Sequence, residues 1–70
     1  MEESKLRGVV RWFRDDLGYG FIDAGAVDVF VHHKDIVMAG HRLLTAGQQV
    51  EFEIVDGKKG PQAGDVRIVG

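Results

Sequence analysis

Ring side chains that could stack on a ligand are concentrated in the segment GYGFIDAGAVDVFVHH, residues 18–33 of the 70-residue chain. The segment contains these ring side chains: Tyr19, Phe21, Phe30, His32 and His33. Flat rings that face solvent can stack on nucleobases, whereas rings inside a core serve mainly to stabilise the fold. The role of these rings therefore depends on which face of their strands they occupy.

Strand alternation assigns most of these rings to an outer face. Side chains of a strand point alternately to its two faces, and in residues 19–24 and 28–32 one face carries rings and the other aliphatic groups. Ile22, Val29 and Val31 can fill a small core without polar atoms that need buried partners. We therefore expect the rings to form a contiguous exposed patch, which soluble monomers seldom present without a function.

The first strand-like segment, residues 6–14, adds Trp12 with Phe13 beside it and Arg11 before it. Strict alternation fails here, because two adjacent apolar residues occur twice in the segment. A β-bulge or a strong twist is the expected cause, since either one re-aims side chains along a strand. The segment therefore extends the ring patch, with a facing that alternation alone does not decide for Trp12 and Phe13.

Short strand-like segments alternate with turn signals along the whole chain. The predicted strands are 6–14, 19–24, 28–32, 48–55 and 63–69, with a helical turn at 33–36, a loop at 37–47 and a Gly-rich loop at 56–61. Phe52 shares a face with Val50 and Ile54, and we expect this face in the core. Five short strands without a long helix predict one small sandwich or barrel, with residues 1–70 as a single domain.

Charge is unevenly distributed along the chain. A net charge of −2, from nine basic and eleven acidic residues, argues against a protein that holds phosphates mainly by bulk charge. Residues 5–14 nevertheless contain Lys5, Arg7, Arg11 and Arg14 and no acid, so a local basic stripe can exist on an acidic protein. A solvated strand face without a ligand is the alternative explanation of the same cations.

Composition also bears on the compartment. The chain has no cysteine, which fits a reducing compartment. Its apolar runs fall well short of the roughly 20 residues that a membrane span needs. The acidic start MEESK is followed by no long apolar stretch, so it does not read as a signal peptide. We therefore expect a cytoplasmic protein that does not contact a membrane.

Catalytic and metal-binding signals are weak. Ser4 and Thr45 lie in no nucleophile motif, and there is no cysteine. His32 and His33 are adjacent and so are expected on opposite strand faces, while His41 lies in a loop without a carboxylate at ligand spacing. We expect neither an enzyme nor a metal or cofactor site.

Five short motifs resemble those of the bacterial cold-shock domain family. They are GVVRWF at 8–13, GYGFI at 18–22, DVFVH at 28–32, QQVEF at 48–52 and GPQA at 60–63. GYGFI resembles the first ribonucleoprotein motif of the family and DVFVH the second, and order and spacing hold over about residues 6–67. The resemblance implies an all-β fold, a five-stranded antiparallel Greek-key OB-fold barrel. It further implies binding of single-stranded RNA or DNA and a role as an RNA chaperone.

The resemblance also implies a set of binding residues by matching position. They are Arg11, Trp12, Phe13, Tyr19, Phe21, Phe30 and His32. The chain departs from the family pattern at Leu17, where Lys is usual, at His33, where Phe is usual, and at Lys34, where Ser is usual. His41 stands near the position of a further loop aromatic, and Lys58 of the Gly-rich loop completes the candidates.

The departures predict a change in binding strength. Imidazoles stack with less area than phenyl rings, so we expect weaker binding than a typical family member shows. We also expect binding to strengthen below about pH 6.5, where His33 and His41 could gain charge.

A protein-interaction module is the rival interpretation. Its ring face would pack on a partner or on a second copy, with weakened nucleic-acid binding. We expect a monomer. A dimer formed by strand exchange or by face-to-face packing is the alternative that the sequence leaves undecided.

Overall fold

A computed structural model of the chain describes residues 5–37, 43–57 and 60–69. The strands are β1 (Leu6–Arg14), β2 (Tyr19–Asp23), β3 (Asp28–His32), β4 (Gln49–Gly57) and β5 (Gly60–Ile68), and a 3-10 turn spans His33–Asp35. They form a closed barrel in the order β1-β2-β3-β5-β4, which confirms the expected five-stranded β-barrel. Within these described ranges, no helix is long and apolar enough to cross a membrane.

One strand pairing that closes the barrel is parallel. Neighbouring strands are otherwise antiparallel, whereas β3 and β5 run in the same direction through the pairs Phe30 with Gln62 and Val31 with Ala63. A bridge from Ile36 continues this parallel contact beyond the end of β3. The pairing therefore places β5 directly beside β3, although the two strands are distant in sequence.

The core consists of the aliphatic faces that alternation predicted, together with Phe52. Ile22, Val29 and Val31 have no measurable exposure. The remaining buried apolar residues are Val10, Ile36, Leu44, Val50, Phe52, Ala63 and Val66. Full burial of a large aliphatic side chain contributes roughly 1.5–3 kcal/mol, so this inward face is the main stabilising feature of the barrel.

The hairpin between β4 and β5 is longer than predicted. Asp56 pairs with Pro61 and Gly57 with Gly60, so most of the predicted loop at 56–61 is strand. Gly60 has a φ of +109°, a conformation that glycine adopts without steric cost, and it is the first residue of β5. The residues at both ends of the predicted Gly-rich loop therefore belong to the paired strands.

The prediction that Ile54 lies in the core is wrong. Val50 and Phe52 on the same predicted face are buried, but Ile54 is 42% exposed. The register of β4 against β5 shifts between Glu51 and Glu53, and β1 pairs with β4 only as far as Phe52. Ile54 therefore lies past the part of β4 that has a strand on each side, and fewer side chains cover it.

A bulge in β1 is confirmed and explains the two apolar pairs of that strand. The register of β1 against β2 shifts between Val10 and Trp12. Trp12 is 37% exposed, whereas Phe13 is partly buried and packs against the core. Gly20 lies opposite Phe13, and a Cβ there would overlap the Trp12 carbonyl oxygen. The bulge therefore turns Trp12 outward and brings β1 close to β2 at a position that has no room for a side chain.

We expect Gly20→Ala to lower the free energy of unfolding by about 1–3 kcal/mol, because its Cβ would clash with the backbone of β1. Urea unfolding followed by Trp12 fluorescence measures this loss. Gly64→Ala is the matched control, since its Cβ would lie 3.2 Å from a movable Val55 methyl group. Equal losses for the two variants would contradict a special role for Gly20.

Candidate nucleic-acid interface

The rings of β1, β2 and β3 lie side by side on the outside of the barrel. Tyr19 pairs directly with His32 and Phe21 with Phe30, and Trp12 pairs with Phe21 across the bulge. Residues directly opposite each other on neighbouring strands have Cβ atoms about 4.5–5.5 Å apart, which brings their side chains into contact. We call this set, Trp12, Tyr19, Phe21, Phe30 and His32, the ring surface.

Contacts between neighbouring rings are short and tilted. The ring centroids of Trp12 and Phe21 are 5.4 Å apart, those of Tyr19 and Phe30 5.4 Å and those of Phe21 and Phe30 5.8 Å. Trp12 is exposed and the other members of the ring surface are half-buried. Such ring pairs contribute about 0.5–1.5 kcal/mol each, so the rings support one another while their outer faces stay accessible.

His32 and His33 do not point to opposite faces, which corrects the expectation for adjacent strand residues. Their ring centroids are 4.5 Å apart and the planes are inclined by 33°. The reason is that β3 ends at His32, and His33 begins the 3-10 turn. The His33 ring lies over Gly18, where a Cβ would be 2.8 Å from the imidazole Cδ2, and the His33 N–H donates to the Gly18 carbonyl at 2.9 Å. His33 therefore extends the row of rings beyond the end of the strand.

A backbone hydrogen bond holds the His32 ring. Its Nδ1 accepts from the Lys34 N–H at 3.2 Å, so the proton of the neutral imidazole is on Nε2. Burial lowers the pKa of His32 below its ordinary value, and the neighbouring His33 and Lys34 lower it further, against an opposing effect of Asp35. The neutral form is therefore favoured at this position, because a proton on Nδ1 would also break the bond to Lys34.

The cations of residues 5–14 are paired with carboxylates. Arg11 lies between Asp23, at 3.2 Å, and Asp28, at 3.0 Å. The other pairs are Lys5 with Asp65 at 2.9 Å, Arg7 with Glu51 at 3.6 Å and Arg14 with Asp16 at 2.9 Å. The basic stripe seen in the sequence is therefore locally neutralised, and Arg11 is the stripe residue next to Trp12 in the chain.

A pocket beside the ring surface is lined partly by residues that the sequence did not indicate as binding candidates. The pocket has a volume of about 580 Å³ and is lined by Tyr19, Phe30, His32, Lys34, Asp56, Gly57 and Gln62. Gln62 belongs to the GPQA motif, but only the parallel pairing of β3 with β5 places it next to Phe30. No local pattern in the sequence indicates that pairing, so the motif alone could not locate the pocket.

Phe13 is the described candidate that does not belong to the ring surface. Phe13 is partly buried against the core, on the other side of β1 from Trp12. His41 and Lys58 lie outside the residues that the structure describes. Within residues 5–37, 43–57 and 60–69, no group of three or more side chains could hold a metal ion.

Comparison with known proteins identifies a consistent set of relatives. The model of the "Cold-shock" DNA-binding domain family matches residues 6–69. A cold shock-like protein of Aquifex aeolicus is 54% identical over 68 residues, which cover 93% of this chain and 96% of that protein. The cold shock-like protein CspE of Escherichia coli is 49% identical over 65 residues, covering 90% of this chain and 94% of its own length.

A solved structure supports the fold. The Drosophila Unr CSD456 structure matches 97% of this chain, and the chain covers 28% of that structure, with a TM-score of 0.79. At 18% identity, this likeness bears on the barrel architecture alone.

The lowered pKa of His32 predicts a pH-dependent stability. The full contribution of neutral His32 is present above its unfolded pKa of about 6.5 and is lost as pH falls through the lower folded pKa. Urea unfolding between about pH 5 and 8 should therefore show decreasing stability on the acid side, and His32→Gln should flatten that part of the profile. Parallel profiles for the two proteins would contradict this assignment.

Proposed function

This chain belongs to the cold-shock domain family, whose members bind nucleic acid, and we propose that it binds single-stranded RNA and DNA on its ring surface. The observation that carries the proposal is the outward row of contacting rings from Trp12 to His32, set over an aliphatic core. A duplex hides the faces of its bases, whereas a single strand can present them to such rings.

Stacking supplies enough free energy for useful affinity. Each base stacked on an aromatic side chain contributes roughly 1–3 kcal/mol. Three such stacks, on Trp12, Phe21 and Phe30, would give about 3–9 kcal/mol before the costs of association are subtracted. Because every base has a flat face, this mode of binding tolerates most sequences.

Charge contributes less to the proposed binding than it does in most proteins that bind nucleic acids. Arg11 is shared between two carboxylates, so a phosphate would have to compete with Asp23 and Asp28 for it. Lys34 is the cation of the pocket and, within the described part of the chain, has no carboxylate at ion-pair distance. Binding should therefore depend mainly on stacking, with few released counterions.

The biological role follows from this mode of binding. A protein that stacks on exposed bases with little sequence preference keeps RNA strands from pairing, so we propose an RNA chaperone that acts in the cytoplasm as a single domain. The cold-shock domain family binds nucleic acid and is not an enzyme family. We assign the ring surface, with Arg11 and His33 at its edges, as the binding residues.

Removal of one ring tests the proposal. We expect Phe30→Ala to weaken oligothymidylate binding by about 1–3 kcal/mol, measured by quenching of Trp12 fluorescence, because one stacked base loses its platform. Its unfolding free energy should fall by about 1–3 kcal/mol, because the ring contacts with Tyr19 and Phe21 are lost, whereas Phe52→Ala should cost about 3–5 kcal/mol.

Val69→Ala is the control for the Phe30 experiment, since Val69 is exposed after the end of β5 and should leave binding unchanged. Unchanged affinity of Phe30→Ala would argue against the ring surface. A concentration-dependent dimer that binds no oligonucleotide would instead support the protein-interaction alternative.

Release of Arg11 should increase the salt dependence of binding. With Asp23 and Asp28 both replaced by Asn, one more cation is available to phosphate, so the slope of log K against log salt concentration should steepen by about 0.7. The matched control replaces Glu51 and Glu53 by Gln, which removes the same charge beside Arg7 and Lys5. An equal change of slope in both double variants would show a bulk-charge effect and contradict this role for Arg11.

A further inference from the structure

The pocket beside the ring surface combines stacking walls with polar groups. Tyr19 and Phe30 contribute two rings whose centroids are 5.4 Å apart, and His32 adds an imidazole 6.5 Å from Phe30. The volume of about 580 Å³ exceeds that of any single nucleobase. A base that leaves the row of stacked bases can therefore enter the pocket, where its edges would meet polar groups as well as rings.

Hydrogen-bond donors occupy the side of the pocket near the 3-10 turn. Because His32 Nδ1 already accepts from the Lys34 N–H, the neutral ring carries its proton on Nε2 and can donate from there. The Lys34 ammonium adds a charged donor, and no described carboxylate lies within ion-pair distance of it. This side therefore suits a base edge that carries two acceptors.

Hydrogen-bond acceptors occupy the side formed by β4 and β5. The Gln62 amide is oriented by its Nε2, which donates to Asp35 Oδ2 at 2.8 Å. Its Oε1 is therefore directed away from Asp35 and lies against Gly57, where any Cβ would overlap it. Asp56 contributes an exposed carboxylate that has no ion-pair partner in the described part of the chain. This side suits a base edge that carries N–H groups.

Guanine is the base that matches both sides. Its N1–H and N2–H are adjacent donors that fit a carboxylate, and its O6 and N7 are adjacent acceptors that fit a lysine. Adenine places an amino group where guanine has O6 and would set a donor against Lys34, and the pyrimidines lack the paired donors. We propose that this pocket is a guanine-selective subsite in which Asp56 accepts from N1–H and N2–H and Lys34 donates to O6 or N7.

The inference rests on the proposed function, because a base reaches the pocket only when a strand lies on the ring surface. It adds selectivity at one position to a surface that otherwise stacks on any base. The two ideas can be separated, since binding of oligothymidylate reports on the ring surface and the gain from a guanine reports on the pocket.

The experiment is a Trp12 fluorescence titration with heptathymidylate and with variants that carry one guanine, adenine or hypoxanthine at each position in turn. We expect a guanine at one position to bind about tenfold more tightly than thymine or adenine there. Hypoxanthine, which lacks the N2 amino group, should lose most of that gain. Asp56→Asn should abolish the preference and leave heptathymidylate affinity unchanged, whereas Glu51→Gln, with the same change of charge, should retain it.

Each result has a defined meaning. Binding of heptathymidylate without a guanine preference at any position would overturn the subsite and leave the proposed function standing. A guanine preference that survives Asp56→Asn, or that Glu51→Gln also removes, would overturn the assignment of Asp56. Failure to bind any of the oligonucleotides would overturn the proposed function itself.

Discussion

The structure depends on one constraint, the separation of ring and aliphatic side chains onto opposite faces of β2 and β3. The barrel core has room for one face only, and Ile22, Val29 and Val31 occupy it completely. Tyr19, Phe21 and Phe30 must then lie outside, where antiparallel pairing brings them into contact. The same hydrophobic packing that stabilises the fold therefore builds the β2 and β3 part of the ring surface, and no separate element is needed to position it.

Ion pairs reduce the net charge beside the ring surface. Carboxylates accompany the cations of residues 5–14, so the face around Trp12 and Arg11 is close to neutral despite its basic sequence. Exposed ion pairs of this kind contribute little to stability, about 0–1 kcal/mol each, but they reduce the attraction for phosphate. The result is a surface of rings with little net charge around it, with Lys34 as the cation of the adjoining pocket.

Local patterns predicted the features that depend on neighbouring residues. The five strands, the bulge before Trp12 and the inward aliphatic face follow from alternation and turn residues, because these act over a few positions. Predictions were wrong for residues whose exposure or ring orientation depends on where a strand ends. Ile54 is exposed because β1 does not reach it, and the His32 and His33 rings meet because the strand ends between them.

By itself, the sequence determined the family, the barrel and the facing of the rings. The order of the motifs and the alternation of ring and aliphatic side chains can both be read directly from the amino-acid sequence. Only the tertiary structure decided which charges are paired and which groups share the pocket. Arg11 of β1 meets Asp28 of β3 across the intervening strand β2, and Gln62 meets Phe30 through a parallel pairing of distant strands. Such contacts depend on closure of the barrel, and no periodicity along the chain encodes them.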